Sequence, residues 1–194
     1  TGLPEIDEQH RKLVQKLNQL ASSIAYGASR DFLNRIFDEL AEYAAYHFSS
    51  EEAIWRDHLT GDPAEIEHQI IHHSFVEQVD RLKATLGTRS LSDVAEETLS
   101  FLVGWLASHI LENDRFLGYV VLAKMEGLSI PDAKQRAMEQ MGGATRALID
   151  IILSIYSTLS TNTLRLMREL TAHMQNKDEL IRARQEALHR EAKY

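Results

Sequence analysis

The sequence contains no cysteine, only 3 prolines and 7% aromatic residues in 194 positions. The absence of cysteine excludes disulfide bonds and thiolate metal sites, so any bound metal would need nitrogen and oxygen ligands. The scarcity of proline and of alternating β-branched runs indicates a protein that is nearly all helix.

Positive charge and long apolar runs are also scarce. The net charge of −8 argues against nucleic acid as the main partner, because phosphate binding requires a basic surface. The most apolar run, residues 147–156, contains Asp150 and is too short to span a bilayer. With no secretory signal visible, we expect no membrane partner and a cytoplasmic location. The chain starts at Thr1 rather than Met, so we also expect a processed or shortened product.

Apolar residues recur at steps of three and four in four successive segments that are separated by short turns. We predict helices over about 7–26, 31–58 and 63–86, with a fourth helix from about residue 91. Asp7 is the predicted N-cap of the first helix. Helices of this length joined by short loops favour an all-α fold, an antiparallel up-down-up-down four-helix bundle.

A helical extension is predicted beyond this bundle. Gly127 and the pair Gly142-Gly143 interrupt the pattern, and one long helix is predicted from about residue 145. Its apolar positions follow heptad-like steps with a stutter, which favours a coiled coil and a homodimer through this helix. We therefore predict a bundle domain over 1–118 and a helical extension over 119–194. The apolar positions of the long helix are Leu148, Ile152, Ile155, Leu159, Thr163, Leu166, Leu170, His173 and Leu180.

Histidine occurs on the apolar face of every bundle helix, although buried polar groups without partners cost several kcal/mol. The inward-facing candidate metal ligands are His10, His47, Glu51, His68, His72, His109 and Asp114. Such a set of imidazoles with two carboxylates matches a site for two metal ions in which both carboxylates bridge. The set suits iron, and zinc, nickel and copper remain open alternatives.

Asp114 fits this set poorly on a regular α-helix, because residue 114 lies about 140° around the helix from residue 109. We therefore predict a local widening to i→i+5 hydrogen bonding, a π-type bulge, between His109 and Asp114. In the alternative, Glu112 or Asn113 takes the ligand role and Asp114 lies at the surface.

Neighbouring polar and aromatic residues have simpler interpretations. Glu52 and Glu67 are expected at the surface, and Tyr43 and Trp105 are expected to pack without binding metal. The histidines expected to be solvated are His58, His73, His173 and His189.

Four motifs together resemble the hemerythrin family in its bacterial form. They are Ile6-Asp7-Glu8-Gln9-His10, His47-Phe48-x-x-Glu51-Glu52, His68-x-x-x-His72-x-x-Phe75 and Trp105-Leu106-x-x-His109-Ile110-x-x-x-Asp114. The resemblance covers residues 2–118 and fills every ligand position of the family. It implies a non-haem centre of two iron ions (Fe2+/Fe3+), with an oxo or hydroxo bridge, that binds dioxygen reversibly.

The resemblance also implies a role for each ligand. The implied assignment is one iron on His68, His72 and His109, a second iron on His10 and His47, and bridges from Glu51 and Asp114. The second iron would keep an open position for dioxygen. Leu106, one turn before His109 on the same face, is the candidate wall of the dioxygen pocket.

Ferritin-like oxygen-activating proteins are the other di-iron class to consider, and they use two Glu-x-x-His motifs with additional glutamates. The bundle segments contain this motif once, as Glu65-x-x-His68. An imidazole-rich site suits dioxygen carriage better than oxidation, so we expect a binding domain rather than an enzyme.

Two functions fit this organisation best. The first is an oxygen or redox sensor that passes its state through the coiled coil to an output domain, such as a diguanylate cyclase or a chemotaxis output. In it, the state of the centre alters the packing of the fourth helix and, through Gly127 and Gly142-Gly143, the angle of the long helix. The alternative is oxygen storage or delivery. A helical interaction module without metal is a third, weaker interpretation.

Overall fold

A computed structural model describes residues 1–25 and 29–191 of the chain. Helices occupy nearly all of these residues, so the predicted all-α fold is confirmed. The helices are α1 (Pro4–Ala25), α2 (Arg30–Leu59), α3 (Pro63–Ala84), α4 (Leu91–Ser108), α5 (Arg115–Met125), α6 (Ile130–Met141) and α7 (Gly143–Glu191). A 3₁₀ turn, Thr85–Gly87, follows α3, and a π-helical turn, His109–Asp114, joins α4 to α5.

Several helix ends follow from capping residues that are visible in the sequence. Asp62 accepts a hydrogen bond from the Ala64 N–H (2.8 Å), and Pro63 occupies the first position of α3, where its missing N–H has no helical partner. Gly127 has a φ of +96° just after α5, a left-handed conformation that favours glycine and ends the helix. Gly143, with a φ of +57°, begins α7 slightly before the predicted position.

The start of α1 corrects one prediction. The helix begins at Pro4, and Asp7 is not its N-cap. The Asp7 carboxylate instead accepts hydrogen bonds from the Thr1 amine (2.8 Å) and the Gly2 N–H (3.2 Å), so it ties these residues to the helix. The predicted end of this helix near residue 26 lies outside the described residues.

The first four helices form the predicted antiparallel bundle. α1 packs against α2 and α4, and α3 packs against the same two helices. Burial of each large apolar side chain contributes about 1.5–3 kcal/mol, so these stripes supply most of the driving force for folding. The buried stripe residues include Leu13, Leu17, Leu20, Leu33, Ile36, Leu40, Phe75, Val79, Leu82, Leu99 and Leu102.

α5 and α6 add a second apolar cluster at the C-terminal end of α2. Trp55 and Leu59 of α2 pack there with Val120 of α5 and with Ala133 and Ala137 of α6. These helices therefore support the end of the bundle at which α2 finishes. The predicted domain division at residue 118 stays a prediction.

The chain separates into two compact units, residues 1–157 and 158–194. The first contains the bundle, α5, α6 and the beginning of α7, and the second contains the rest of α7. None of the described helices is long and apolar enough to cross a bilayer.

Candidate metal centre

The structure buries every predicted ligand. Their exposed fractions range from 0% at His47, Glu51 and Asp114 to 6% at His10. α1, α2 and α3 each supply at least one of them, and the π-helical turn after α4 supplies two. The predicted residues are therefore brought together in the bundle interior.

Their donor atoms form two overlapping groups. In each group the potential metal-binding atoms all lie within 4.8 Å of one another. The first group is Glu51, His68, His72 and His109, and the second is His10, His47, Glu51 and Asp114. Because Glu51 belongs to both, the two groups are parts of one centre.

The two carboxylates present oxygen atoms to both groups. Glu51 Oε2 lies 3.4 Å from His68 Nε2, whereas Glu51 Oε1 faces His10 Nε2 at 3.8 Å. Asp114 Oδ1 lies 3.2 Å from His109 Nε2, and Asp114 Oδ2 lies 3.1 Å from His10 Nε2. This arrangement is the one expected of two carboxylates that can bridge a pair of cations.

Several donor atoms of the centre are buried without a hydrogen-bond partner. They are Nε2 of His10 and His47, Oε1 of Glu51, and both carboxylate oxygens of Asp114. Burial of such atoms without compensation costs several kcal/mol each. Metal coordination would satisfy all of them, and nitrogen and oxygen donors of this kind suit iron. The residues present therefore fit a pair of metal ions.

Burial and mutual contacts set the charges of these groups. Burial lowers the pKa of His47 to about 4 and that of His109 to about 3, which favours the neutral imidazole that binds metal. Burial also disfavours a charged His10, but its contacts with Asp114 and Glu51 raise its pKa to about 9. Burial opposes ionisation of Glu51, yet the surrounding imidazoles of His10, His109, His68 and His72 hold its pKa well below the usual range.

The π-helical turn confirms the widening predicted between His109 and Asp114. It places Asp114 in the interior with 0% exposure, so the alternative with Asp114 at the surface is wrong. Glu112 is directed elsewhere, since its carboxylate accepts from the Ser108 hydroxyl and pairs with Arg146. One extra residue in the turn is thus the feature that brings both ligands to the same face.

Two residues outside the predicted set orient the imidazoles. His47 Nδ1 lies 2.9 Å from Gln9 Oε1, and His72 Nδ1 lies 2.9 Å from Glu52 Oε1. In each case the ring donates to that oxygen, which leaves Nε2 free to bind metal. Glu52 was expected at the surface; it is half-buried, with 23% of its side chain exposed, and the expectation missed its contact with His72.

Gln9 and Glu52 are each next to a predicted ligand in the sequence. That position alone does not show whether the side chain contacts a histidine or faces solvent. A chemical argument could have pointed to them, because a metal-binding histidine needs a hydrogen-bond acceptor for its second ring nitrogen. Glu67 is exposed, as expected.

Aromatic rings enclose the imidazoles. Phe48 stacks on His72 with 3.8 Å between ring centroids, and Trp105 stacks on His109 at 4.2 Å. Trp105 is therefore a packing residue, as predicted, and its packing partner is a ligand ring. These contacts fix the planes of the imidazoles and keep water from them.

Among the described side chains, the remaining histidines contribute no donor to either group. His73 and His173 are exposed as expected, and His58 is half-buried. The side chain of His189 lies outside those described. Tyr43 contacts the ring of Tyr46 at 5.8 Å, which agrees with a packing role.

A small apolar cavity adjoins the centre. Its volume is about 20 Å³, which is room for about one water-sized molecule. On α1 and α3, the lining residues follow a ligand along the chain by one turn or more. On α2 and α4, they precede a ligand by one turn or more, because these helices run in the opposite direction. Leu106 lies on its wall, as does Trp105. The lining is Leu13, Leu17, Leu40, Ala44, Phe48, Phe75, Leu102, Trp105 and Leu106.

Comparisons with known proteins agree with this geometry. A family model described as the hemerythrin HHE cation binding domain matches residues 1–119. A bacteriohemerythrin of Clostridium acetobutylicum is 34% identical over 119 residues, which cover 59% of this chain and 89% of that protein. A bacteriohemerythrin of Pseudomonas aeruginosa is 30% identical over 120 residues, 62% of this chain and 74% of that protein. One from Methylococcus capsulatus is 28% identical over 118 residues, 61% of this chain and 87% of that protein.

Proposed function

Because the chain belongs to the hemerythrin family, we propose that it is a non-haem di-iron domain that binds dioxygen and acts as an oxygen or redox sensor. The observation that carries this proposal is the buried cluster of imidazoles around two carboxylates, each of which presents oxygen atoms to both donor groups. We propose binding of dioxygen, and not catalysis, as its activity.

The proposed ligands divide between the two irons as the donor groups divide. One ion would be held by His68, His72 and His109, the other by His10 and His47, and both by Glu51 and Asp114. When bound, the two irons would supply reversible binding of dioxygen, with an open position on the side that has fewer histidines. The protein's own contribution is to fix the ring planes and tautomers and to keep the donors dry.

The apolar cavity is the proposed dioxygen pocket, with Leu106 on its wall. Its lining offers apolar side chains in place of hydrogen-bonding groups, so a water molecule there would lack the two to four polar partners that buried water needs. A small apolar gas needs no such partners. Water exclusion would also slow proton transfer to the centre, which favours binding over irreversible oxidation.

A sensor requires a path out of the bundle, and we propose that α7 supplies it as a dimer. The predicted seam of this helix is exposed in the single chain, with Leu148 59%, Ile155 52%, Leu159 58% and Leu170 64% exposed. An isolated helix with an apolar stripe is marginal in water, and a second copy would bury the stripe. The coiled coil would then carry the state of the centre to an output domain, proposed from the family resemblance.

Oxygen storage or delivery is the second candidate, and the relatives favour it. The matched region makes up 89% of the Clostridium bacteriohemerythrin, so that protein consists almost entirely of the bundle. In this case the extension would serve only for oligomerisation. Removal of residues 158–194, which keeps the compact 1–157 unit, should then leave oxygen affinity and the autoxidation rate unchanged.

The visible absorption spectrum tests dioxygen binding. Iron-loaded protein should be nearly colourless after anaerobic reduction, should gain visible charge-transfer bands in air, and should lose them again when oxygen is removed. Bands that never reverse would contradict reversible binding. Absence of any iron-dependent band would contradict the whole proposal.

Solution scattering and crosslinking of the dimer in the reduced and oxidised states separate the two functions. A sensor should change the geometry of the α7 dimer between these states. Identical scattering and crosslinks in both states would contradict sensing and favour storage.

A further inference from the structure

Glu112 occupies the π-helical turn between two proposed ligands, His109 and Asp114. Its carboxylate is directed away from the donor groups. Oε2 accepts a hydrogen bond from the hydroxyl of Ser108, the last residue of α4. Oε1 lies 2.8 Å from Nη1 of Arg146. Both oxygens are therefore engaged outside the metal centre, and one of them reaches a different helix.

Arg146 belongs to the first turn of α7. Its Nη1 pairs with Glu112, and its Nε pairs with Asp150 at 3.2 Å, one turn further along the same helix. Ile149 lies on the same face and is 2% exposed, and it is the one buried side chain among those that the structure describes in α7. Arg146 and Ile149 therefore mark the side of α7 that contacts the rest of the 1–157 unit.

A cleft of about 530 Å³ lies between the π-helical turn and the junction of α6 with α7. Glu112 and Arg146 both line this cleft, and their ion pair spans it. Gly142 and Gly143 form the junction, and Gly143 has a φ of +57°. The ion pair thus connects the first turn of α7 to the π-helical turn, which carries two of the proposed ligands. It lies beside two glycines, whose backbone has more conformational freedom than that of other residues.

We propose that the Glu112–Arg146 ion pair is a positioning contact, which holds the π-helical turn in place and couples it to the first turns of α7. A π-helical turn is a rare conformation that persists where its surroundings hold it. Any shift of His109 or Asp114 would move Glu112, and the ion pair would pass that shift to α7. By linkage, a change in α7 would act on the centre through the same contact. The coupling gives the proposed sensor a route from the metal centre to α7, and its biological role rests on that proposed function.

Hydrogen exchange of the full chain tests the contact, both without metal and after anaerobic loading with ferrous iron. Exposed ion pairs contribute little, so Arg146→Met should raise exchange at amides 109–114 by about two- to fivefold. Glu112→Gln should likewise raise exchange at amides 143–150 by about two- to fivefold. Loading with iron should change exchange at 143–150 in the wild type, and this change should disappear in Arg146→Met.

Asp150→Asn is the matched control, because it removes the other partner of Arg146 and keeps the pair with Glu112. It should leave exchange at 109–114 unchanged. The reversed pair, Glu112→Arg with Arg146→Glu, re-forms the ion pair but loses the contacts with Ser108 and Asp150. It should therefore exchange more slowly at 109–114 than Arg146→Met, without full return to the wild-type rate. The proposal is overturned if Arg146→Met leaves 109–114 unchanged, if Asp150→Asn acts like it, or if the iron-dependent change at 143–150 survives in Arg146→Met.

Iron content separates this result from the proposed function. Arg146→Met should bind as much iron as the wild type, since Arg146 supplies no ligand. A wild-type chain that binds no iron would refute the di-iron proposal, and the metal-free exchange comparison would still decide whether the ion pair holds the π-helical turn.

Discussion

The orientation of single side chains decides what the centre can bind. Each histidine has two ring nitrogens, and only one can face the metal. Gln9 and Glu52 accept from the Nδ1 atoms of His47 and His72, so the Nε2 atoms of these rings are directed inward. Partners of this kind typically change metal affinity 10- to 100-fold, at about 1.4 kcal/mol per factor of ten.

Loss of the Glu52 carboxylate should weaken iron binding. Glu52→Ala removes the acceptor of His72 Nδ1, and we expect an affinity for ferrous iron that is about 10- to 100-fold lower. Competition with a chelator under anaerobic conditions measures this change. Glu67→Ala, at an exposed glutamate on α3, is the control and should bind iron like the wild type. Equal affinities for all three proteins would show that Glu52 does not support the site.

The wall of the apolar cavity should control oxidation. Leu106→Ala enlarges the cavity beside the centre, and a Leu→Ala change in a core costs about 2–5 kcal/mol. We expect lower stability and faster oxidation in air, because water and protons gain access to the centre. Chemical denaturation and the decay of the oxygenated spectrum report these two effects.

Leu82→Ala is the matched control for this cavity. Leu82 is buried (2% exposed) and lies outside the cavity lining, so its truncation should lower stability alone. If both variants oxidise at the same rate, the cavity does not guard the centre.

At the scale of whole helices, capping and periodicity specify most of the fold. The stripes and turn signals predicted the second and third helices to within two residues. The π-helical turn was predictable because an α-helix would have pointed Asp114 away from its partners. Glu52 and Gln9 were not predictable from periodicity, since their partners lie on other helices. Asp7 was misassigned as an N-cap because its carboxylate accepts hydrogen bonds from residues that precede the helix. A capping rule considers only the N–H groups of the helix itself.

The Asp62 carboxylate links two helices. It caps α3 through the Ala64 N–H and also pairs with Lys134 of α6. Burial raises its pKa, but the hydrogen bonds from Lys134 and Ala64 outweigh burial and lower it below the usual 3.8. A lowered pKa means stabilisation that is complete above this usual value and is lost as the pH falls through the folded-state pKa.

Substitution of Asp62 separates these two contributions. Asp62→Asn keeps a good capping side chain and should lose only the ion pair, about 0–1 kcal/mol at pH 7. Asp62→Ala should lose about 0.5–2 kcal/mol more. Denaturation at pH 7 and at pH 3 measures both, and the difference between wild type and Asp62→Asn should shrink at pH 3. A difference that grows on acidification would contradict the assignment.

At the scale of the whole molecule, the exposed apolar stripe of α7 is the feature that calls for a partner. Its exposed stripe continues through the 158–194 unit, where Leu159, Leu166, Leu170 and Leu180 are 58%, 59%, 64% and 75% exposed. The sequence predicted the positions of this stripe from its steps of three and four residues. A second copy in register is the simplest partner, because it presents the same stripe.

A charge on the stripe should dissociate the proposed dimer. Leu159→Glu places a carboxylate at the seam, and we expect dimerisation to weaken by tenfold or more, at about 1.4 kcal/mol per factor of ten. Arg165→Glu, on the far side of the helix from Thr163, is the control and should leave the dimer intact. Sedimentation equilibrium distinguishes them. A wild-type chain that is monomeric at high concentration would refute the dimer.

The central claim is that the donors from four parts of the bundle hold two iron ions. Elemental analysis of the full chain, loaded anaerobically with ferrous iron and freed of excess metal, tests this most directly. We predict two irons per chain in the wild type, and clearly fewer after Glu51→Ala, which removes the carboxylate shared by both donor groups. A wild-type chain that retains no iron, or a Glu51→Ala chain that still retains two, would contradict the account.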